Sequence, residues 1–148
     1  MTALLARRHL LLTATGALVA VAAPARATPA SVVAEIARLL AGKVAQRGRV
    51  KLDVPVLVEN GNTVAMTVSV PEKTTARLLS FHIFADGNPL PNVAAFHFGP
   101  RAGAPKIATR IRMATSQTVI AVALFDDGSA WTDSVDLLVT LAACLEDA

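Results

Sequence analysis

The only cysteine, Cys144, is the fifth residue from the end of the 148-residue sequence. A thiolate is a nucleophile and a covalent attachment point, so a lone thiol is a buried filler, is joined to another molecule, or is reactive. It has no partner for a disulfide within its own chain. Chain ends fray, and a thiol just past the last strand is expected to be accessible. Glu146, Asp147 and the terminal carboxylate bring up to three negative charges near the sulfur. Like charge disfavours the thiolate and repels an anionic substrate, so these groups are read as modulating the thiol.

Other residues offer less. His82 lies in Phe81-His82-Ile83-Phe84 and His97 in Phe96-His97-Phe98. Strand alternation turns the aromatics one way and the histidines the other. Two histidines on facing strands can ligate a metal, but no third ligand stands at metal spacing. They read as two partly exposed side chains on outer faces, with no metal site and no cofactor. Gly99-Pro100-Arg101-Ala102-Gly103 lacks the Lys-Ser/Thr and the helix of a phosphate loop and reads as a connection between strands. Arg101, Lys106, Arg110 and Arg112 form a local positive cluster, with Arg110 and Arg112 on one strand face. That cluster is a solvated charged face or a contact for an acidic partner. Neither a Gly-x-Ser-x-Gly motif nor a carboxylate pair for glycoside chemistry is present, so the chain does not read as an enzyme.

The elements that must position Cys144 follow from periodicity. Residues 1–27 contain Arg7, Arg8 and Arg26 and no acid, with an apolar run over residues 10–23 and a small-residue site at Ala25-Arg26-Ala27 before Thr28. This is the pattern of a cleaved signal peptide, with the cut between Ala27 and Thr28. The apolar run is too short to span a bilayer, although a retained anchor is the alternative. Arg7-Arg8 before His9-Leu10-Leu11 fits a twin-arginine export signal, and general secretion is the other route. Removing the three leader arginines from fourteen basic residues leaves eleven, against eleven acidic ones. A neutral domain has no electrostatic case for nucleic acid, and after cleavage none for a membrane.

Residues 28–48 read as a short helix and linker. Val32, Val33, Ile36, Leu39 and Leu40 form an apolar stripe after Thr28-Pro29 and Ser31, with Gly42 as a stop and residues 41–49 as the linker. Residues 49–148 change to period two. Strands are expected within 50–54, 64–70, 79–84, 93–98, 107–113, 118–125 and 135–141. Asn60-Gly61 predicts a type I′ hairpin, and Asp86-Gly87 and Asp127-Gly128 predict further turns. About seven short strands after one helix point to an all-β, immunoglobulin-like sandwich, with a closed barrel as the alternative. Trp131 is expected in its core.

Beyond these patterns, the chain resembles the SoxY family, the sulfur-carrier subunit of the periplasmic thiosulfate-oxidising Sox system. The matching segments include Val50-Lys51-Leu52-Asp53-Val54-Pro55, Val58-Glu59-Asn60-Gly61-Asn62-Thr63-Val64 and Asn88-Pro89-Leu90-Pro91-Asn92-Val93-Ala94. They continue through Phe96-His97-Phe98-Gly99-Pro100-Arg101-Ala102-Gly103, Thr109-Arg110-Ile111-Arg112 and Ser116-Gln117-Thr118-Val119 to Val139-Thr140-Leu141 and the cysteine. The resemblance implies an immunoglobulin-like fold, a periplasmic location and a heterodimer with a SoxZ-like β-sandwich subunit. It also implies a terminal cysteine, here Cys144, that carries the sulfur substrate covalently between Sox-type periplasmic enzymes. The family's Gly-Gly-Cys-Gly-Gly ending is absent, and Ala142-Ala143 and Leu145-Glu146-Asp147-Ala148 frame the cysteine instead. Glycine gives such an arm freedom and little bulk, and its loss opens a second expectation: a binding or assembly module that has abandoned sulfur carriage.

Overall fold

The computed structural model describes residues 26–71 and 75–143. Among the described residues, one helix precedes nine strands. Helix α1 (Pro29–Leu40) starts where the residues dictate: the Thr28 side chain accepts from the Ser31 N–H, and the Ser31 hydroxyl accepts from the Thr28 N–H. This reciprocal bonding, with proline at the first helical position, satisfies donors that a helix start otherwise leaves unpaired. The helix stops at Ala41, whose left-handed φ of 48° precedes Gly42 at 87°.

The strands are β1 (Ala45–Arg47), β2 (Lys51–Asp53), β3 (Leu57–Val58), β4 (Val64–Ser69), β5 (Leu78–Ala85), β6 (Asn92–His97), β7 (Lys106–Ile111), β8 (Gln117–Phe125) and β9 (Ala130–Val139). They form two sheets. The larger runs β1-β9-β8-β5-β6, with β3 also paired to β9, and the smaller runs β2-β4-β7. A β-sandwich with one short helix is what the alternation required. Val64, Met66 and Val68 of β4 meet Phe81, Ile83 and Ala85 of β5 and Val119, Ala121 and Ala123 of β8 in the core between the sheets. Full burial of side chains of this size contributes about 1.5–3 kcal/mol each, which makes this layer the main source of stability.

A second apolar layer lies on the other face of the large sheet. Val32 and Leu40 of α1 pack against Phe84, Val122 and Ala130. The helix stripe therefore covers a sheet face that would otherwise be exposed. Trp131 packs against the main core, with the Arg49 guanidinium 4.4 Å above its ring.

Two expectations change here. The stretch read as a linker contains β1, which pairs in parallel with the start of β9. Asn60-Gly61 is not a type I′ hairpin, since neither residue has positive φ. Instead, the connection from β2 to β4 detours through β3, which pairs in parallel with the end of β9. A two-residue turn needs its flanking strands to be mutual neighbours, and β3 has gone to the other sheet.

Candidate functional site

Cys144, Glu146, Asp147, Arg7 and Arg8 lie outside the described residues. Of the cleavage site, Ala27 is buried and its N–H donates to the Asn88 carbonyl, while Thr28 caps α1. The chain leading to Cys144 is described as far as Ala143, and it is held at almost every step.

Its path begins where β9 ends. The Val139 N–H donates to the Ser116 hydroxyl at 2.9 Å. Thr140 donates its N–H to the Val58 carbonyl at 2.9 Å, and its hydroxyl donates to the Glu59 carbonyl at 3.2 Å. Gly61 donates its N–H to the Leu141 carbonyl at 2.7 Å and accepts from the Met113 N–H at 2.8 Å. The Ala143 N–H then donates to the Met113 carbonyl at 3.0 Å. A fraying end was expected, yet hydrogen bonding continues to the residue before the cysteine. The short strand β3 and the glycine that follows it supply the extra partners.

Gly61 owes its place to bulk rather than to backbone freedom. A Cβ there would stand 2.4 Å from the Met113 carbonyl oxygen and 2.8 Å from the Ala143 nitrogen. Three backbone segments meet where only a hydrogen fits.

The Met113 side of this junction rests on a buried polar node. The Asn88 amide donates to the Arg112 carbonyl at 3.0 Å and accepts from the Ala114 N–H at 2.9 Å and from the Gln117 amide at 2.9 Å. Gln117 in turn accepts from the Gly87 N–H at 2.9 Å. Buried polar groups are tolerated when fully bonded, and this node fixes the chain on both sides of Met113. Sequence reasoning passed over Asn88 and Gln117. An asparagine after Asp86-Gly87 reads as part of a turn, and only the fold shows that it bonds 24 and 29 residues away.

The histidines separate. His97 is exposed, but His82 is only 9% exposed, which corrects the reading of two outer-face side chains. His82 stands on the face that α1 helps to cover, and so does Phe84, which breaks the simple division of aromatics from histidines. The rings meet edge to face at 5.7 Å, and the His82 Nε2 is 3.1 Å from the Ser80 hydroxyl. Burial first, and the nearby His97 second, hold the His82 imidazole below its ordinary value of 6.5. The fold thus favours the neutral ring, so its stabilising preference is complete above pH 6.5 and is lost as the pH falls through the folded-state value. Urea midpoints measured from about pH 7.5 down to about pH 5 should fall, and His82→Gln should flatten that slope. Among the described residues, no group of three or more His, Cys, Asp or Glu side chains comes together.

The positive cluster is resolved into a stripe. Lys106 and Arg110 lie on the exposed face of β7, Arg112 follows the strand end, and Arg101 sits in the loop before β7, away from the junction.

The fold and this junction define a class: a helix-capped, two-sheet β-sandwich whose C-terminal chain is fastened across one end. The family described as sulfur oxidation protein SoxY matches residues 36–144, and the chain belongs to that family, whose members are carrier subunits rather than enzymes. No curated protein matches the chain. Among solved structures it is similar to a superoxide reductase (neelaredoxin) from Ignicoccus hospitalis, at 16% identity and a TM-score of 0.52 over 77% of this chain and 94% of that one. It is also similar to a superoxide reductase from Nanoarchaeum equitans, at 12% identity and a TM-score of 0.50 over 64% of this chain and all of that one. At these identities the likeness is one of fold alone. No helix among the described residues is long and apolar enough to cross a membrane.

Proposed function

We propose that the chain is the carrier subunit of a Sox-type system, holding a thiosulfate-derived sulfur adduct on Cys144 while partner enzymes act on it. The observation that carries this reading is that the family match ends on Cys144 itself. The anchored chain up to Ala143 supports it, because the residue that precedes Cys144 in sequence is hydrogen-bonded to the Met113 carbonyl. Joining a thiolate to the sulfane sulfur of thiosulfate forms one S–S bond and releases two electrons, which a Sox-type periplasmic enzyme must accept. A SoxZ-like subunit, docked on an exposed sheet edge or face, completes the carrier as a heterodimer. In this reading a twin-arginine leader is removed before Thr28 and the protein works in the periplasm.

The test is intact mass spectrometry of the periplasmic protein after exposure to thiosulfate and the partner enzymes. The expected spectrum shows a chain starting at Thr28 with an adduct that reductant removes and that Cys144→Ala abolishes. An unmodified mass under all conditions overturns carriage. Burial of Ala143 and its bond to Met113 favour one second reading, the assembly module without sulfur carriage. Under that reading, Cys144→Ala leaves partner binding and thiosulfate oxidation unchanged.

A further inference from the structure

Strand β7 closes one side of the small sheet and has a strand neighbour, β4, on its other side only. The Val70 N–H donates to the Pro105 carbonyl, which makes residues 70 and 105 a hydrogen-bonded pair of the antiparallel ladder. Alternation gives Val68–Ile107 and Met66–Thr109 the same state and turns the backbone groups of Lys106, Ala108 and Arg110 off the open edge. The Ala104 carbonyl accepts from the Lys106 N–H, and the Asn88 amide donates to the Arg112 carbonyl. Ala108 and Arg110 are the open stretch between them.

The side chains along this edge carry one sign of charge. Lys106, Arg110 and Arg112 stand exposed in a line, and the floor beside them is low, with Ala65 the register partner of Arg110 and Thr67 that of Ala108. Lys51 and Asp53 share the face only at its far side, on β2. The ion pairs among the described residues, Glu35–Arg38 and Arg77–Asp126, involve none of these cations. Charged side chains on an edge strand keep apolar strands away, and the same charges admit a strand of opposite sign. A lipid surface or a nucleic acid would meet the cations but leave the main-chain groups of Ala108 and Arg110 unpaired, whereas an acidic strand satisfies both.

We propose that the open edge of β7 takes an extended acidic segment of a partner subunit as an added strand. The segment's main chain bonds to Ala108 and Arg110, and carboxylates four residues apart stand opposite Lys106 and Arg110, which are separated by about 13 Å along the strand. The backbone bonds supply affinity, and the charges select the partner and speed the encounter. The proposal rests on the heterodimer reading only for the partner's identity, since it names the edge that a SoxZ-like subunit uses.

Nitrogen-15 spectra of the full chain, titrated with a short synthetic peptide in which glutamate alternates with threonine, test it. Amide shifts should centre on residues 106–112 and fade in about 0.5 M salt, which screens the charge pairs. Lys106→Gln with Arg110→Gln should weaken the peptide about tenfold, the scale of two exposed charge pairs. Ala108→Pro removes an N–H that points off the edge and spares the ladder to β4, so it should also weaken the peptide at least about tenfold while the urea midpoint stays near that of the parent. Shifts that are absent or centred on another strand overturn the proposal, and so does binding that ignores the charge replacements. A protein that ignores the peptide but gathers on vesicles of phosphatidylcholine with phosphatidylglycerol also overturns it, and assigns the cations to a lipid surface. The SoxZ-like subunit should bind the parent chain and lose a similar factor with each variant. Failure of that subunit to bind, with the peptide still seated on β7, sinks the heterodimer reading alone, so the two failures are distinguishable.

Discussion

Gly61→Ala lowers the stability of the domain by about 3 kcal/mol and loosens the chain before Cys144. The new methyl group would meet backbone on every side: the Met113 carbonyl at 2.4 Å, the Ala143 nitrogen at 2.8 Å and the Leu141 carbonyl at 3.1 Å. None is the far end of a flexible side chain, so main chain must move. Overpacking of a closed site costs about 1–3 kcal/mol, and the hydrogen bonds strained with it add about 0.5–1.5 kcal/mol each. Those at risk are Gly61 to Leu141, Met113 to Gly61 and Ala143 to Met113. Urea unfolding gives the loss of stability, and amide exchange should speed up at Gly61, Met113 and Ala143. Gly99→Ala and Gly103→Ala are the controls, because a Cβ at either position meets nothing within 4 Å. They should stay within about 0.5 kcal/mol of the parent. A Gly61→Ala protein as stable as these controls would refute the close approach.

Asn88→Leu should cost about the same for the opposite reason, loss of partners rather than lack of room. Its amide makes three hydrogen bonds, and leucine strands the Ala114 N–H, the Arg112 carbonyl and the Gln117 amide. A buried polar group left unpaired costs about 1–3 kcal/mol. Gln117 keeps its contact with the Thr115 carbonyl and is partly compensated, so a total of about 3–4 kcal/mol is expected. Because Arg112 and Ala114 flank Met113, exchange at Ala143 should also rise. Asn88→Leu and Gln117→Ala share one bond, and in a double-mutant cycle their costs should fall short of additive. Full additivity would mean that the two side chains act independently.

Local pattern made much of this molecule legible. The stripe of Val32, Val33, Ile36, Leu39 and Leu40 marked α1, although Val33 is exposed and takes no part in the packing, and Thr28 and Ser31 marked its start, because capping uses only neighbours in sequence. Alternation in 64–70, 79–84 and 118–125 marked β4, β5 and β8, because a side chain's face depends only on its parity along the strand, whereas β9 starts at Ala130, five residues before the expected 135. The Asp127-Gly128 turn was readable for the same reason, with Gly128 at φ 82° and Asp127 accepting from the Ser129 N–H. The two-residue strand β3 was not readable, since so short a segment has no period.

By itself, then, the sequence determined the alternating strands of a sandwich, the helix that precedes them and the family to which the chain belongs. The tertiary structure alone decided what depends on which strand lies beside which. It turned Gly61 from an expected turn residue into the seat of a three-way backbone junction. It buried His82 on a face that helix α1 helps to cover, and it joined Asn88 to Arg112, Ala114 and Gln117. It also carried backbone hydrogen bonding past β9 to Ala143. The physical reason is the same in each case: periodicity says which way a residue faces, whereas its neighbours across the fold are set by pairing between distant segments.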